Sequence, residues 1–146
     1  MVNGTSGEAK RDHLLVVVID DDYDVLEWCR VILECDGFAV ECFYDMEQAY
    51  IFMQSRKPDL VLSDLMMADL NSGFDFAQRI KETPGLERVP IIILTAASSR
   101  LGFDFTPKSE ADLQAMHVDA YFSKPADPAL LLSKIHELIA RTKRTS

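Results

Sequence analysis

Several features are scarce in this sequence, and each scarcity excludes a class of protein. Cysteine occurs three times, at Cys29, Cys35 and Cys42, an odd number whose spacing fits neither a disulfide framework nor a metal-binding motif. The three histidines are scattered, so a cysteine–histidine catalytic pair is not indicated. No apolar stretch approaches a membrane span in length, and residues 1–13 lack the apolar core of a secretion signal. We therefore expect a flexible leader over residues 1–13, no membrane partner and a cytoplasmic protein.

Basic residues are also few. The chain has 15 Lys and Arg against 24 Asp and Glu, a net charge of −9. Binding to a phosphate backbone needs clustered Lys and Arg, so we expect no direct nucleic-acid binding by this chain. Apolar residues are plentiful, at 48% of 146 residues, which is enough for one domain with a sizeable core. We place this domain at residues 14–141, with residues 142–146 as a tail or the start of a linker.

Short apolar runs alternate with segments of helical period along the chain. The apolar runs predict buried strands, and the stripes between them predict helices. The predicted strands are residues 14–19, 38–43, 60–63, 90–94 and 120–123, and the predicted helices are residues 23–36, 46–55, 72–82, 110–118 and 128–141. Near-continuous apolar strands separated by helices predict a parallel sheet covered on both faces. The expected fold class is α/β, a three-layer doubly wound domain.

Polar residues stand where the predicted strands end. Aspartates occupy residues 20–22, Asp64 follows the third strand, Thr95 the fourth and Lys124 the fifth. The carboxyl ends of parallel strands share one edge, so we expect these side chains to converge there. Like charges about 4 Å apart repel by about 4 kcal/mol at a dielectric constant near 20, so the cluster needs a cation. An all-oxygen cluster suits Mg²⁺, hydroxyl and ammonium groups suit a phosphoryl oxygen, and an aspartate can itself be phosphorylated.

Each of these residues also has an ordinary structural explanation. Asp22 or Asp24 could cap the first helix, and Asp64 could cap the third. Thr95 could simply end a strand, and the stem of Lys124 could cover apolar surface. The convergence of all of them at one edge of the sheet favours a functional site.

Four segments, in order, resemble the receiver domain of two-component response regulators: VVVIDDD, PDLVLSD, PIIILTA and AYFSKP. The resemblance covers about residues 14–141 and implies a five-stranded sheet in the flavodoxin-like order 2-1-3-4-5. It implies that Asp64 accepts a phosphoryl group from a histidine kinase or phosphotransfer protein, with Mg²⁺ as the cofactor. Phosphorylation would switch a partner or output surface. The chain would be no enzyme beyond self-phosphotransfer and autodephosphorylation.

The resemblance also implies the metal ligands. Asp21 would bind Mg²⁺ directly and Asp20 mainly through water. Asp64 and the backbone carbonyl of Met66 would complete the ligands that the protein supplies.

Further roles concern the phosphoryl group and the switch. Thr95 would bond a phosphoryl oxygen and move towards it on activation, and Lys124 would pair with the phosphate. The bond between Lys124 and Pro125 is expected to be cis. Tyr121 matches the aromatic switch position, whose side chain is expected to turn inward when Thr95 moves. The alternative is that Tyr121 is simply a half-buried aromatic residue of the strand. The small side chain of Ala96 suits access to the aspartate.

Two segments depart from the family pattern. The segment MMADLNSG has Ala68 where the family has proline, and it is one residue longer. The segment GFDFTPK is inserted between Thr95 and Lys124. Our hypothesis is that Phe103 and Phe105 belong to an altered partner-docking face. The alternative is that they cover the edge of the core.

Two other functions compete with the receiver. A phosphohydrolase of the haloacid-dehalogenase type could use the acid-x-acid pair within residues 20–22, with Thr95 and Lys124 in a tolerable order. Such enzymes need a further acidic pair on a strand after the lysine, whereas the sequence predicts only one helix after Lys124. Asp64 would also have no role in such an enzyme. The other alternative is a binding module that has lost phosphorylation, a pseudo-receiver. The presence of every expected site residue argues against it.

Overall fold

The computed structural model describes residues 13–64, 72–95, 118–124 and 126–145, without the side chains of residues 72–74, 95 and 143–145. Five strands and four helices lie within these ranges. In chain order they are β1 (Leu15–Ile19), α1 (Tyr23–Cys35), β2 (Ala39–Phe43), α2 (Met46–Ser55), β3 (Leu60–Ser63), α3 (Ser72–Lys81), β4 (Ile91–Thr95), β5 (Ala120–Ser123) and α4 (Pro128–Thr145).

The strands form one parallel sheet in the order β2-β1-β3-β4-β5. This confirms the predicted fold class and the strand order that the resemblance implied. β3 lies in the middle of the sheet, with β1 on one side and β4 on the other. The ends of β1 and β3 are therefore adjacent, and they bring Asp20 and Asp64 to the same edge.

Helices cover both faces of the sheet. Because side chains alternate along a strand, the residues of β1 divide between two core layers. Val16 and Val18 pack with buried side chains of α1 and α4, whereas Val17 and Ile19 pack with those of α2 and α3. Cys29 is fully buried in the first of these layers, where it packs as a small apolar side chain.

Three helices begin at an aspartate cap. The carboxylates of Asp22, Asp45 and Asp127 each accept a hydrogen bond from the backbone N–H two residues further along, at 2.9, 3.3 and 2.9 Å. An aspartate at this position satisfies one of the N–H groups that the first turn leaves without an intrahelical partner. The expected cap of the first helix is therefore Asp22, and the expected start at Asp127 is confirmed.

α1 ends in a Schellman turn. Gly37 has a φ of 93°, which only glycine adopts without strain. Its N–H donates to the carbonyl of Glu34, and the N–H of Phe38 donates to that of Leu33, both at 3.1 Å. These two bonds satisfy carbonyls at the helix end and turn the chain into β2.

α4 is longer than expected, since it continues past Arg141 to Thr145. No proline or glycine interrupts the last turns. Arg141 forms an ion pair with Glu137 one turn earlier, and the Thr142 hydroxyl donates to the carbonyl of Leu138 at 3.0 Å. Among the described helices, none has both the length and the apolar character needed to cross a bilayer.

Two aspartates anchor the amino edge of the sheet, opposite the expected site. Asp59 accepts a hydrogen bond from the N–H of Leu15 at 2.7 Å. Asp119 accepts one from the N–H of Ile91 at 2.8 Å and another from Lys81 Nζ at 3.1 Å. Both carboxylates cap the first N–H of a neighbouring strand, so their role is structural.

Some predictions fall where the structure gives no description. The predicted helix over residues 110–118 lies outside the described residues except for Val118, which is in the non-helical approach to β5. Phe103 and Phe105 lie outside them as well, and so does Ala68.

Candidate functional site

The candidate site lies at the carboxyl edge of the sheet, where β1 and β3 end. Asp20 and Asp64 follow these two strands directly and are each 2% exposed, whereas Asp21 is exposed at the rim. One carboxylate oxygen from each of the three lies within 4.8 Å of the other two. The structure therefore brings together the three aspartates that the sequence placed in one cluster.

Lys124 joins this cluster from the end of β5. Its Nζ lies 2.8 Å from Asp20 Oδ2 and 3.7 Å from Asp64 Oδ1, and its side chain is 18% exposed. The first distance is a charge-assisted hydrogen bond, while the second is an ion-pair distance. One ammonium group faces two buried carboxylates, so this part of the cluster carries a net negative charge.

Asp20 is held by both of its carboxylate oxygens. Oδ2 accepts from Lys124, and Oδ1 accepts from the backbone N–H of Asp22 at 2.9 Å. Burial raises the pKa of Asp20 above its ordinary value, although the bonds from Lys124 and Asp22 oppose the shift, and the nearby charge of Asp64 adds to it. The charged form of Asp20 is thus costly in this site, and an additional cation would favour it.

Asp64 is hydrogen-bonded through its backbone, whereas Oδ1 of its side chain has no hydrogen bond among the described residues. Its N–H donates to the carbonyl of Ile19 at 2.9 Å, and its own carbonyl accepts from the Ser63 hydroxyl at 3.0 Å. Its Oδ1 is buried and has no hydrogen-bond partner among the described residues. A buried carboxylate oxygen without a donor is rare, and a bound cation is one explanation of it.

The donor set fits Mg²⁺. Three carboxylates offer hard oxygen ligands with no nitrogen or sulfur among them, which suits Mg²⁺ rather than zinc or copper. The unpartnered Oδ1 of Asp64 and the exposed Asp21 give such an ion both a buried and an accessible ligand.

The other predicted site residues are placed less completely. Thr95 is the last residue of β4 and pairs with Ser123 of β5, which puts its backbone at the same edge. Tyr121 is half-buried in β5 and packs against the core layer formed with α2 and α3. Met66, Ala96 and Pro125, with the peptide bond expected to be cis, lie outside the described residues. The roles assigned to all of these residues stay predictions.

The sequence did not single out two contacts in this site. One is the bond from the Ser63 hydroxyl to the carbonyl of Asp64, and the other is the bond from the Asp22 N–H to Asp20. Ser63 had one signal, since it is a polar residue in an otherwise apolar strand that is buried throughout. The role of Asp22 had no such signal, because a backbone N–H is not visible in a residue pattern.

Fold and site together define a class. A doubly wound parallel sheet in this order is a flavodoxin-like domain, and here buried carboxylates and a lysine lie at its carboxyl edge. The particular family follows from the match of residues 16–136 to the response regulator receiver domain model. The chain belongs to this family, the receiver domains of two-component response regulators.

Curated relatives agree with this assignment. The chain is 31% identical over 131 residues to the phosphate regulon transcriptional regulatory protein PhoB of Pseudomonas aeruginosa, a match covering 87% of this chain and 52% of that protein. It is 30% identical over 132 residues to response regulator Rre1 of Synechocystis, covering 90% and 54%. The chain thus spans about half the length of these relatives.

Solved structures share the fold. A CheY-like response regulator receiver domain protein from Methanospirillum hungatei superposes with a TM-score of 0.76 at 21% identity, covering 92% of this chain and 99% of that one. Chemotaxis response regulator CheY4 of Vibrio cholerae superposes with a TM-score of 0.72 at 22% identity, covering 86% and 98%. These two structures support the flavodoxin-like architecture alone.

Proposed function

We propose that this chain is a Mg²⁺-dependent receiver that takes a phosphoryl group on Asp64. One observation carries the most weight. The Oδ1 of Asp64 is buried and unpartnered among the described residues, yet it lies 3.7 Å from Lys124 Nζ and within a cluster of three carboxylates. A capping aspartate would accept a backbone N–H, as Asp22 does in α1, and Asp64 Oδ1 accepts none within the described residues.

The side chains divide the task of managing charge. Asp20, Asp21 and Asp64, with the backbone carbonyl of Met66, would hold Mg²⁺, which supplies neutralisation of the phosphoryl charge. Lys124 would pair with a phosphoryl oxygen, exchanging part of its contact with Asp20. In the absence of phosphate this bond holds the ammonium group next to the phosphoacceptor, so Lys124 is positioned beforehand.

The chemical step is a phosphoryl transfer between two residues. A carboxylate oxygen of Asp64 forms a bond to phosphorus while the phosphorus–nitrogen bond of a phosphohistidine breaks, and the electron pair goes to the imidazole nitrogen. Because Asp64 is buried, only a donor that reaches the rim of the site could bring its phosphorus atom to this carboxylate. Water ends the phosphorylated state by hydrolysing the aspartyl phosphate to the free carboxylate and inorganic phosphate, and no other turnover is proposed.

Readout and partners follow from the family. Thr95 would bond a phosphoryl oxygen, and Tyr121 would change its packing in β5 as Thr95 moves. The donor would be a histidine kinase or a phosphotransfer protein, and we place this exchange in the cytoplasm. The relative from P. aeruginosa is by name a transcriptional regulatory protein, and the chain matches about half of it. Any DNA contact of a longer protein would come from another segment, since this chain carries a net charge of −9.

Intact-mass measurement tests the proposal. The chain is incubated with acetyl phosphate and Mg²⁺, then measured before and after a chase with EDTA. We expect one phosphoryl adduct on the wild type and none on Asp64→Asn. Asp45→Asn is the matched control, because Asp45 is an exposed cap of α2 at the same edge of the sheet, and it should keep the adduct.

Three results would contradict the proposal in different ways. An adduct that persists in Asp64→Asn would show that another residue accepts the phosphoryl group. A wild type that binds no phosphoryl group would indicate a pseudo-receiver. Sustained turnover of a soluble phosphate ester would indicate a phosphohydrolase that uses residues 20–22.

A further inference from the structure

Ser63 is a buried polar residue that the proposed chemistry does not use. Among the described residues, three polar side chains are buried: Asp20, Asp64 and Ser63. The first two belong to the acidic cluster. Ser63 is 1% exposed and ends β3 immediately before Asp64, in a strand whose other residues are all apolar. An apolar side chain there would add to the core, whereas a buried hydroxyl needs a hydrogen-bond partner.

The partner of this hydroxyl is the carbonyl of Asp64. Ser63 is the last residue of β3 in register with both neighbours, Ile19 of β1 and Ile93 of β4. The N–H of Asp64 still reaches the carbonyl of Ile19, but the ladder ends there. A buried carbonyl at the end of a ladder needs a donor from elsewhere, and the Ser63 hydroxyl provides it at 3.0 Å.

The backbone of Asp64 is therefore held on both sides, by Ile19 at its N–H and by Ser63 at its carbonyl. Oδ1 of the carboxylate has no hydrogen-bond partner among the described residues. The direction of the carboxylate depends on the backbone that carries it. A displacement of this backbone would move the Cα of Asp64, and with it Oδ1, relative to Lys124 and the other carboxylates.

We propose that Ser63 is a positioning residue for the phosphoacceptor. Its hydroxyl restrains the carbonyl side of the Asp64 backbone, as Ile19 restrains the N–H side, and so holds the Cα that carries the carboxylate beside Asp20 and Asp21. This inference rests on the proposed function. It adds that affinity for Mg²⁺ depends on a residue that touches neither the metal nor the phosphoryl group.

Titration with Mg²⁺ is the test. Trp28 is the single tryptophan of the chain, and it lines a hollow of about 440 Å³ together with Lys124, so its fluorescence reports on the site. We expect Ser63→Ala to raise the Kd for Mg²⁺ by about 2- to 10-fold, the effect of one lost hydrogen bond. Ser63→Thr, which keeps the hydroxyl, should stay within about 2-fold of the wild type. The Mg²⁺-dependent rise in melting temperature should follow the same order.

A matched control separates positioning from stability. Val61 lies on the same strand and face and is fully buried, and its apolar side chain cannot hydrogen-bond to Asp64, so Val61→Ala should lower the melting temperature and leave the Kd unchanged. If Ser63→Ala loses stability but binds Mg²⁺ as the wild type does, the positioning role is refuted while the proposed function stands. If the wild type neither binds Mg²⁺ nor forms the phosphoryl adduct, both fail.

Discussion

Replacement of Lys124 by methionine isolates the cation of the acidic cluster. At an effective dielectric constant of 20, an ammonium group 2.8 Å from Asp20 and 3.7 Å from Asp64 is attracted by about 6 and about 4.5 kcal/mol. These gross attractions offset the desolvation of the three groups, so the net effect is smaller. Loss of one partner from a buried ion pair typically costs about 3–5 kcal/mol. We expect Lys124→Met to lower the free energy of unfolding at pH 7.5 by about that amount.

The pH dependence has a definite sign. Burial already raises the pKa of Asp20, and the bond from Lys124 is the largest interaction that lowers it. Without Lys124 this pKa rises further, so at mildly acidic pH the folded variant binds a proton that the unfolded chain does not. The variant therefore regains stability as the pH falls from 7.5 towards the ordinary pKa of an aspartate. Its deficit against the wild type is largest at neutral pH and smaller near pH 5.

Urea unfolding at pH 7.5 and pH 5, each with and without Mg²⁺, measures this prediction. Mg²⁺ should stabilise Lys124→Met more than the wild type, because removal of a positive charge raises the affinity of the cluster for a cation. Lys134→Met is the matched control, since Lys134 pairs with Glu137 on the exposed side of α4 and should matter by less than about 1 kcal/mol. A deficit that is equal at both pH values, or no larger than that of the control, would refute the reasoning.

Two further predictions concern the core and the amino edge of the sheet. Burial, with a smaller contribution from Asp20, raises the pKa of Cys29 to about 12. Iodoacetamide at pH 8 should therefore alkylate the exposed Cys35 and leave Cys29 unmodified until guanidinium is added. Equal alkylation rates for the two thiols in the folded chain would contradict this. Asp119→Ala removes the acceptor of the Ile91 N–H and should lower the free energy of unfolding by about 1–3 kcal/mol in urea, and a loss below about 0.5 kcal/mol would show that the capping bond is dispensable.

Much of the fold was visible in the sequence because its signals are local and redundant. β3 was predicted at residues 60–63 and observed there, since an apolar run is bounded by a lysine–proline pair on one side and by polar residues on the other. The end of α4 is misplaced by the sequence pattern because residues 142–146 are polar. Polar residues do not end a helix without a breaker, and a side chain one turn earlier can pair with them.

The candidate site was predictable as a set of residues but not as a set of bonds. Parallel strands bring their carboxyl ends together, so the sequence alone predicts Asp20, Asp64 and Lys124 at one edge of the sheet. The residue pattern did not show that Lys124 would donate to Asp20 rather than to Asp64. That choice depends on differences of about 1 Å, which arise from the packing of the whole domain. The contribution of Ser63 was hidden for the same reason.

The central place of β3 in the sheet has a mechanical consequence. Asp64 leaves a strand that is bonded to β1 on one side and to β4 on the other. A shift of the β3 backbone would break two ladders at once, whereas within the described residues β5 is bonded to β4 alone. Asp64 thus follows a strand that is paired on both sides, whereas the marginal β5 has less sheet bonding to resist a displacement. If Asp64 is phosphorylated as proposed, we therefore expect the resulting displacement to be larger at β5 than in the centre of the sheet.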